Sequence, residues 1–383
     1  GDGHSAAGRA KAMTRSIVLL GGGIDSLGII ARAREMGLRT IVVDHDPSGP
    51  GLARADVPLV ASCYDPDETL EMLYHERPDA LLCAGTDAPH VMAAVAQAYG
   101  LVGPTQQTAE LSRDKLGQAL CLKAHGITTP RLAKIGEALA LAPGQWAVIK
   151  PIDSRGGRGV LRFGGDLKGE RLDLAPLIQE SCALSPTGRA ISQEWVDGVQ
   201  LSTESLIQGG RILWTSFAER NYDRLEEFAP HVIEDGSDMP PAIPSYYEND
   251  YEEKTNRSLQ ACVEAIGLEN GTLKGDVVWT GSEAVIIEVA TRLSGGSFCS
   301  QMTPMCWGVD FVGMAIRIAL GETIYPGEIR PYLRGHVCQR FYFPPGKMIT
   351  CHPDRGPSVI TRGKTREEAR ERARKELEAM HDK

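Results

Sequence analysis

Lys274-Gly-Asp-Val-Val-Trp-Thr-Gly-Ser-Glu-Ala-Val-Ile-Ile-Glu-Val-Ala-Thr-Arg-Leu-Ser-Gly-Gly296 reads as two strands joined by a tight turn and followed by a glycine loop. Asp276 opens the first strand and Thr280-Gly281-Ser282 makes the turn. Ala284 to Val289 is an apolar run of a length suited to a buried strand. Glu288 interrupts that run, four residues before Arg292. A carboxylate inside an apolar strand is costly unless something pairs it. If the two strands are neighbours, Asp276 and Glu288 converge on one hard cation with Arg292 beside them. That donor set suits Mg²⁺ and a nucleotide phosphate. A structural ion pair of Glu288 with Arg292 or Lys274 accounts for the same residues equally well.

The chain of 383 residues is too long for one compact core, so two or three domains are expected. Its net charge of −9 makes nucleic acid an unfavoured partner. The nine cysteines are scattered without a Cys-x-x-Cys pair, and no secretory segment is visible, which implies a reduced, cytoplasmic protein. No apolar run approaches the roughly 20 residues that span a bilayer, so no membrane partner is expected. Residues 1–12 are small and polar and are expected to be an added leader ahead of Met13.

Towards the N-terminus, Ser16 to Leu20 is a strand, Gly21-Gly-Gly-Ile-Asp-Ser-Leu-Gly28 a glycine loop, and an amphipathic helix runs on to Gly37. Thr40 to Val43 is the next strand, ending at Asp44. The unit predicts a doubly wound α/β domain with a parallel sheet. A dinucleotide site with Asp44 on a ribose is one reading of the loop, and a plain tight turn is the better one, because the glycine spacing is loose. Asp67 to His75 is helical. Ala80 to Cys83 is a strand, and Thr86 and Asp87 follow it, as ligands of a cleft or as the N-cap of the next helix, the cap being the preferred role. Ser112 is expected to cap the helix that carries Lys115 and Lys123.

Trp146-Ala-Val-Ile-Lys-Pro151 is a strand that ends on a lysine, and Ser154-Arg-Gly-Gly-Arg-Gly159 comes directly after it. An ammonium and backbone N–H groups placed so can close on the same phosphates. A flexible hairpin turn is the plain alternative. Ala190 to Gly198 and Val199 to Leu206 read as strand, hinge and strand. The stretch from Asn221 to Tyr247, with Tyr222 and His231, reads as a long functional loop. Arg340-Phe-Tyr-Phe-Pro-Pro-Gly-Lys-Met-Ile349 is expected to form a hairpin, and Thr365 with Glu368 to box the last helix.

In their order and spacing these pieces resemble the ATP-grasp superfamily, in its carboxylate–amine (amino-acid) ligase branch, from Met13 onward. The resemblance rests on the first glycine turn, Ser112-Arg-Asp-Lys115, Val148-Ile-Lys-Pro151, the glycine loop, Gln193-Glu-Trp-Val-Asp-Gly198 and Glu288…Arg292…Gly295-Gly296. It implies an ATP-grasp fold: an N-terminal doubly wound parallel sheet (13–110), a small α+β lid with its leading helix (111–195), and a larger α+β central and C-terminal part (196–383). It implies that Lys115 and Lys150 hold ATP phosphates under a lid of Ser154, Gly156, Gly157, Gly159 and Val160. Glu194, Trp195 and Val196 would meet the adenine, and Gln200, where a glutamate is usual, the ribose. Asp276 and Glu288 would bind one or two Mg²⁺ ions. Ala290 replaces an asparagine common in the family, which puts the second ion in question. Arg292 and Lys150 would act in catalysis. Arg292, Ser294, Gly295, Gly296, Asn221, His231, Thr86 and Asp87 would face the small-molecule carboxylate and amine substrates, and a homodimer is a family-level expectation.

The activity implied is amide formation through an acyl phosphate, with release of ADP and phosphate. The rival readings are a carboxylase or other carboxyphosphate enzyme of the same fold and a nucleotide-binding regulator without turnover.

Overall fold

The computed structural model describes residues 14–133, 136–165 and 174–381. The leader expected at residues 1–12, and Met13, lie outside them. Four short strands, β1 (Ser16–Leu20), β2 (Arg39–Asp44), β3 (Val57–Val60) and β4 (Ala80–Cys83), form a parallel sheet in the order β3-β2-β1-β4. Side chains alternate across it, as strand geometry requires. Ile17 and Leu19 pack with Ile29, Ile30 and Phe311 on one face. Val18 and Leu20 pack with Leu73, Val91 and Val95 on the other. Both faces are covered, which is why β1 is apolar from Ile17 to Leu20.

A second sheet is antiparallel: β5 (Trp146–Pro151), β6 (Leu161–Gly164) and β7 (Ala190–Glu194), in the order β6-β5-β7. The third holds β8 (Val199–Gln208), β9 (Arg211–Asn221), β10 (Gly236–Met239), β11 (Gly271–Trp279), β12 (Ala284–Ala290), β13 (His336–Phe341) and β14 (Ser358–Gly363). Its order is β12-β11-β8-β9-β10-β13-β14, antiparallel at each pairing. Helix Tyr251–Ile266 lays Leu259, Val263 and Ile266 over Leu201, Val277 and Trp279 of this sheet. This architecture is the α/β ATP-grasp arrangement expected above. Among the described residues no helix is long and apolar enough to cross a membrane.

Several local expectations are corrected. Ser112 does not start the helix of Lys115, because it lies inside a preceding helix, Gln106–Arg113. Asp114 caps the next helix, Lys115–Ala124, accepting from Leu116 and Gly117 N–H. Helix Pro89–Tyr99 has no side-chain cap, so Asp87 is free for another partner. Asp44 accepts the N–H groups of Gly22 at 2.5 Å and Asp46 at 2.9 Å, which ties it into the glycine turn, in line with the plain-turn reading. The long loop after Asn221 contains β10. Arg340 to Ile349 is no β-hairpin: β13 ends at Phe341, and a short helical turn, His352–Asp354, precedes β14.

Candidate active site

Strands β11 and β12 are neighbours, and Asp276 stands directly opposite Glu288, with a register shift just beyond Asp276. Lys115, first residue of its helix, and Lys150, on β5, reach the same oxygen of Glu288 at 3.9 Å and 3.8 Å. Residues from three distant segments thus meet at one carboxylate. No hydrogen bond reaches that carboxylate from a described residue; its cationic neighbours stand a little too far away. Burial pushes the Glu288 carboxyl up, but Lys115 and Lys150 outweigh it and hold the group below the ordinary carboxylate range. Asp276 is held low in the same way by Lys274 at 2.5 Å and Arg220 at 3.1 Å. Its Oδ1 is buried and accepts no hydrogen bond. Two ionised carboxylates facing each other across a ladder, Asp276 ion-paired on both oxygens and Glu288 without a hydrogen bond from a described residue, suit a divalent ion with oxygen preference. Burial lowers the proton affinity of Lys150, which is 5% exposed, and Glu288 opposes that shift.

The loop after β12 is fastened to the parallel sheet. Leu293 N–H donates to Cys83 O at 3.0 Å and Gly85 N–H to Leu293 O at 3.1 Å. This backbone clasp sets Arg292 beside Asp87, Nε to Oδ1 3.4 Å. Thr86 sits against Gly21, where any side chain would collide with it. From below, Glu204 of β8 accepts the Ser294 N–H at 2.5 Å. From the first glycine loop, Asp25 accepts the Gly296 N–H at 2.7 Å. Ser294, Gly295 and Gly296 are therefore held from two sides next to Arg292.

Glu204 is fully buried, and burial pushes its carboxyl up to about 7 against the pull of Ser294 and Arg292. The folded chain thus keeps a proton that the unfolded chain releases near the ordinary glutamate value of about 4.3. Stability from this group is full below about pH 4.3 and declines as pH rises towards 7, by up to about 3 kcal/mol. Glu204→Gln keeps an acceptor for Ser294 and avoids the buried charge. Melting curves are expected to show a Tm several degrees higher at pH 8 and little changed at pH 5; equal shifts at both would contradict this assignment.

The loop from Ser154 to Val160 turns on Gly156, Gly157 and Gly159, whose φ values of 63°, 70° and 67° lie in the left-handed region. It joins β5 to β6 as a hairpin and lies closed over the lysines: Lys115 Nζ donates to Ser154 O at 2.8 Å. The His352 N–H donates to Gly156 O at 2.9 Å on one flank. On the other, the Arg155 guanidinium lies 3.8 Å from the Tyr64 ring centre. A cation–π contact of this kind contributes about 0.5–2 kcal/mol. Tyr64→Ala is expected to raise the KM for ATP by about three- to tenfold, read from steady-state kinetics, with kcat less affected.

At the hinge, the Glu194 side chain turns out to Arg131 at 3.2 Å, and the Glu194 N–H donates to Arg131 O at 2.9 Å. Trp195 packs edge-on to Tyr222, with ring centres 6.3 Å apart. Gln200 donates to Val196 O at 3.3 Å. Two expected substrate contacts are placed elsewhere. Asn221 is buried and donates to Asp238 at 2.8 Å, in a cluster with Arg340, Arg366 and Arg370. His231 is paired with Glu180 at 3.0 Å beside β6. The sequence reading missed Arg220, which links Glu234 at 2.8 Å to Asp276, as well as Glu204, Asp25 and Arg355. Glu204 lies among Ser202, Thr203 and Ser205 in the middle of β8, so its burial leaves no apolar pattern in the sequence.

Residues 112–296 match the sequence profile of the ATP-grasp domain. Over 231 residues, 58% of this chain, the chain is 27% identical to the uncharacterized protein y4rH of Sinorhizobium fredii. It spans less than half of that relative's own length, 45%. Two solved structures share the fold. A phosphoribosylglycinamide synthetase from Anaerococcus prevotii has a TM-score of 0.72 at 16% identity, over 94% of this chain and 96% of that one. An L-amino acid ligase from Bacillus licheniformis has a TM-score of 0.66 at 18% identity, over 86% and 80%.

Proposed function

We propose that the chain is an ATP-dependent ligase of the ATP-grasp superfamily, one that joins a carboxylate, an amino acid or another small acid, to an amine; the match of residues 112–296 to the ATP-grasp domain supports this reading. The observation that carries the reading is the meeting of Lys115 and Lys150 at Glu288, opposite Asp276 and one helical-turn length of sequence before Arg292. Lys115, Lys150 and the glycine loop would grip the phosphates of ATP. Trp195 and the backbone of Glu194 and Val196 would hold the base, with Gln200 near the ribose. Asp276 and Glu288 would hold Mg²⁺, which supplies charge neutralisation at the transferred phosphoryl group. Ala290 brings no donor, so Glu288 would have to serve any second ion.

Arg292, half-buried beside Asp87, would bind the acid and orient one carboxylate oxygen towards the γ-phosphorus. Transfer gives an acyl phosphate and ADP. Attack by the amine then forms the C–N bond as phosphate leaves. Ser294 to Gly296, fixed through the Ser294 and Gly296 N–H groups to Glu204 and Asp25, would border the reacting carbonyl. The lid, clamped between Tyr64 and His352, would keep water from the acyl phosphate. Such chemistry needs positioning and charge rather than a protein nucleophile. The test is product analysis. ADP and phosphate, without AMP, should form only when acid and amine are both present; AMP as product would overturn the reading.

A further inference from the structure

Strand β11 carries Lys274 and Asp276 on one face, and a further charge reaches them from two strands away. Asp276 on β11, Ser202 on β8 and Ala218 on β9 form one row across the sheet. Arg220 follows Ala218 by two residues, so its side chain leaves the sheet on the same face. Its Nη1 lies 3.1 Å from Asp276 Oδ1. The guanidinium is pinned from behind. Nε and Nη2 meet Glu234 Oε2 at 2.9 Å and 2.8 Å, and the Ser237 hydroxyl donates to the other Glu234 oxygen at 3.0 Å. Arg355 Nη1 donates to the Glu234 carbonyl oxygen at 3.0 Å, which ties down the backbone of that residue. Arginine does not give up its proton in a protein, so Arg220 is a permanent charge in a fixed place. Lys274 Nζ takes the other Asp276 oxygen at 2.5 Å. Ala290 stands opposite Lys274 across the ladder and offers no oxygen to a metal.

Around Asp276, Glu288 and Glu234 the chain thus places Lys115, Lys150, Lys274 and Arg220, four cations against three carboxylates. ATP with one bound Mg²⁺ still carries net negative charge, which suits this excess of cations. A second ion against Asp276 would have Arg220 and Lys274 as direct neighbours, and like charges so close repel strongly where water is scarce. We propose that the site takes a single divalent ion with ATP, and that Arg220 supplies at Asp276 the positive charge a second ion would bring. The inference rests on the ligase reading and narrows its metal requirement. The anchor at Glu234 separates Arg220 from a side chain free to swing away when metal arrives, because moving aside would strand a buried carboxylate.

Mn²⁺ and adenylyl imidodiphosphate, a non-hydrolysable ATP analogue, test this without turnover. Equilibrium dialysis, read by metal analysis and nucleotide absorbance, gives the bound Mn²⁺ per bound nucleotide. One is expected in the unaltered protein up to Mn²⁺ saturation. Ala290→Asn alone restores a donor but keeps Arg220, and should also stay at one. Arg220→Met with Glu234→Gln removes the anchored pair without leaving a buried charge, and combined with Ala290→Asn it should raise the ratio to two. A merely structural role for Arg220 would shift the melting temperature and leave the ratio unmoved. Two Mn²⁺ per nucleotide in the unaltered protein or in Ala290→Asn, or a ratio of one in the folded triple variant, would overturn the proposal. No nucleotide bound with Mn²⁺ by the unaltered protein would overturn the ligase reading, and this inference with it.

Discussion

Glu288→Gln is expected to lower kcat for ATP turnover by about a thousandfold while the protein stays folded. The glutamine keeps the shape and one acceptor oxygen but removes the charge on which Lys115 and Lys150 converge. It also halves the carboxylate pair that, on the proposed function, would hold Mg²⁺ against the phosphates. An amide is a far weaker ligand for a hard divalent ion than a carboxylate. The structural cost should be smaller than the catalytic one, because Glu288 makes no hydrogen bond to a described residue and lies partly open to the cleft. Thermal melting and ADP release on the same preparation check both halves. A variant with near-normal turnover would leave Glu288 as the plain structural ion pair.

Lys150→Met should show the opposite balance between stability and activity. Lys150 is buried at the end of β5, and burial opposes its charge. Methionine fills similar length without a charge to desolvate, so Tm should hold or rise slightly. On the proposed function, turnover should fall by about a hundredfold or more, because the ammonium that would neutralise the phosphates is gone. Lys115 still faces Glu288 in this variant, which keeps that carboxylate compensated. A parallel loss of Tm and activity would assign Lys150 to folding rather than to ATP.

The pair at the centre was legible because a two-residue pleat and a short turn set it. Asp276 and Glu288 lie on strands joined by Thr280–Ser282, so their opposition follows from local spacing. Lys150 and its glycine loop were legible for the same reason. Glu204 meets Ser294 only because β8 pairs with β11 rather than with a sequence neighbour alone. Asp87 meets Arg292 only through the Ala84–Leu293 bridge, which joins two sheets far apart in sequence. Strand order and interdomain contacts of this kind leave no periodic trace. Ser112 failed for a local reason: Asp114, two residues on, takes the cap.

Transfer of oxygen from acid to phosphate tests the central claim most directly. The acid substrate is labelled with ¹⁸O in its carboxylate and turned over with ATP, Mg²⁺ and the amine. An acyl phosphate leaves one carboxylate oxygen on the phosphorus when the C–O bond breaks, so each inorganic phosphate released should carry one ¹⁸O, with none in ADP. Label recovered in AMP, or unlabelled phosphate formed together with amide, would contradict the mechanism assigned to Lys150, Asp276, Glu288 and Arg292.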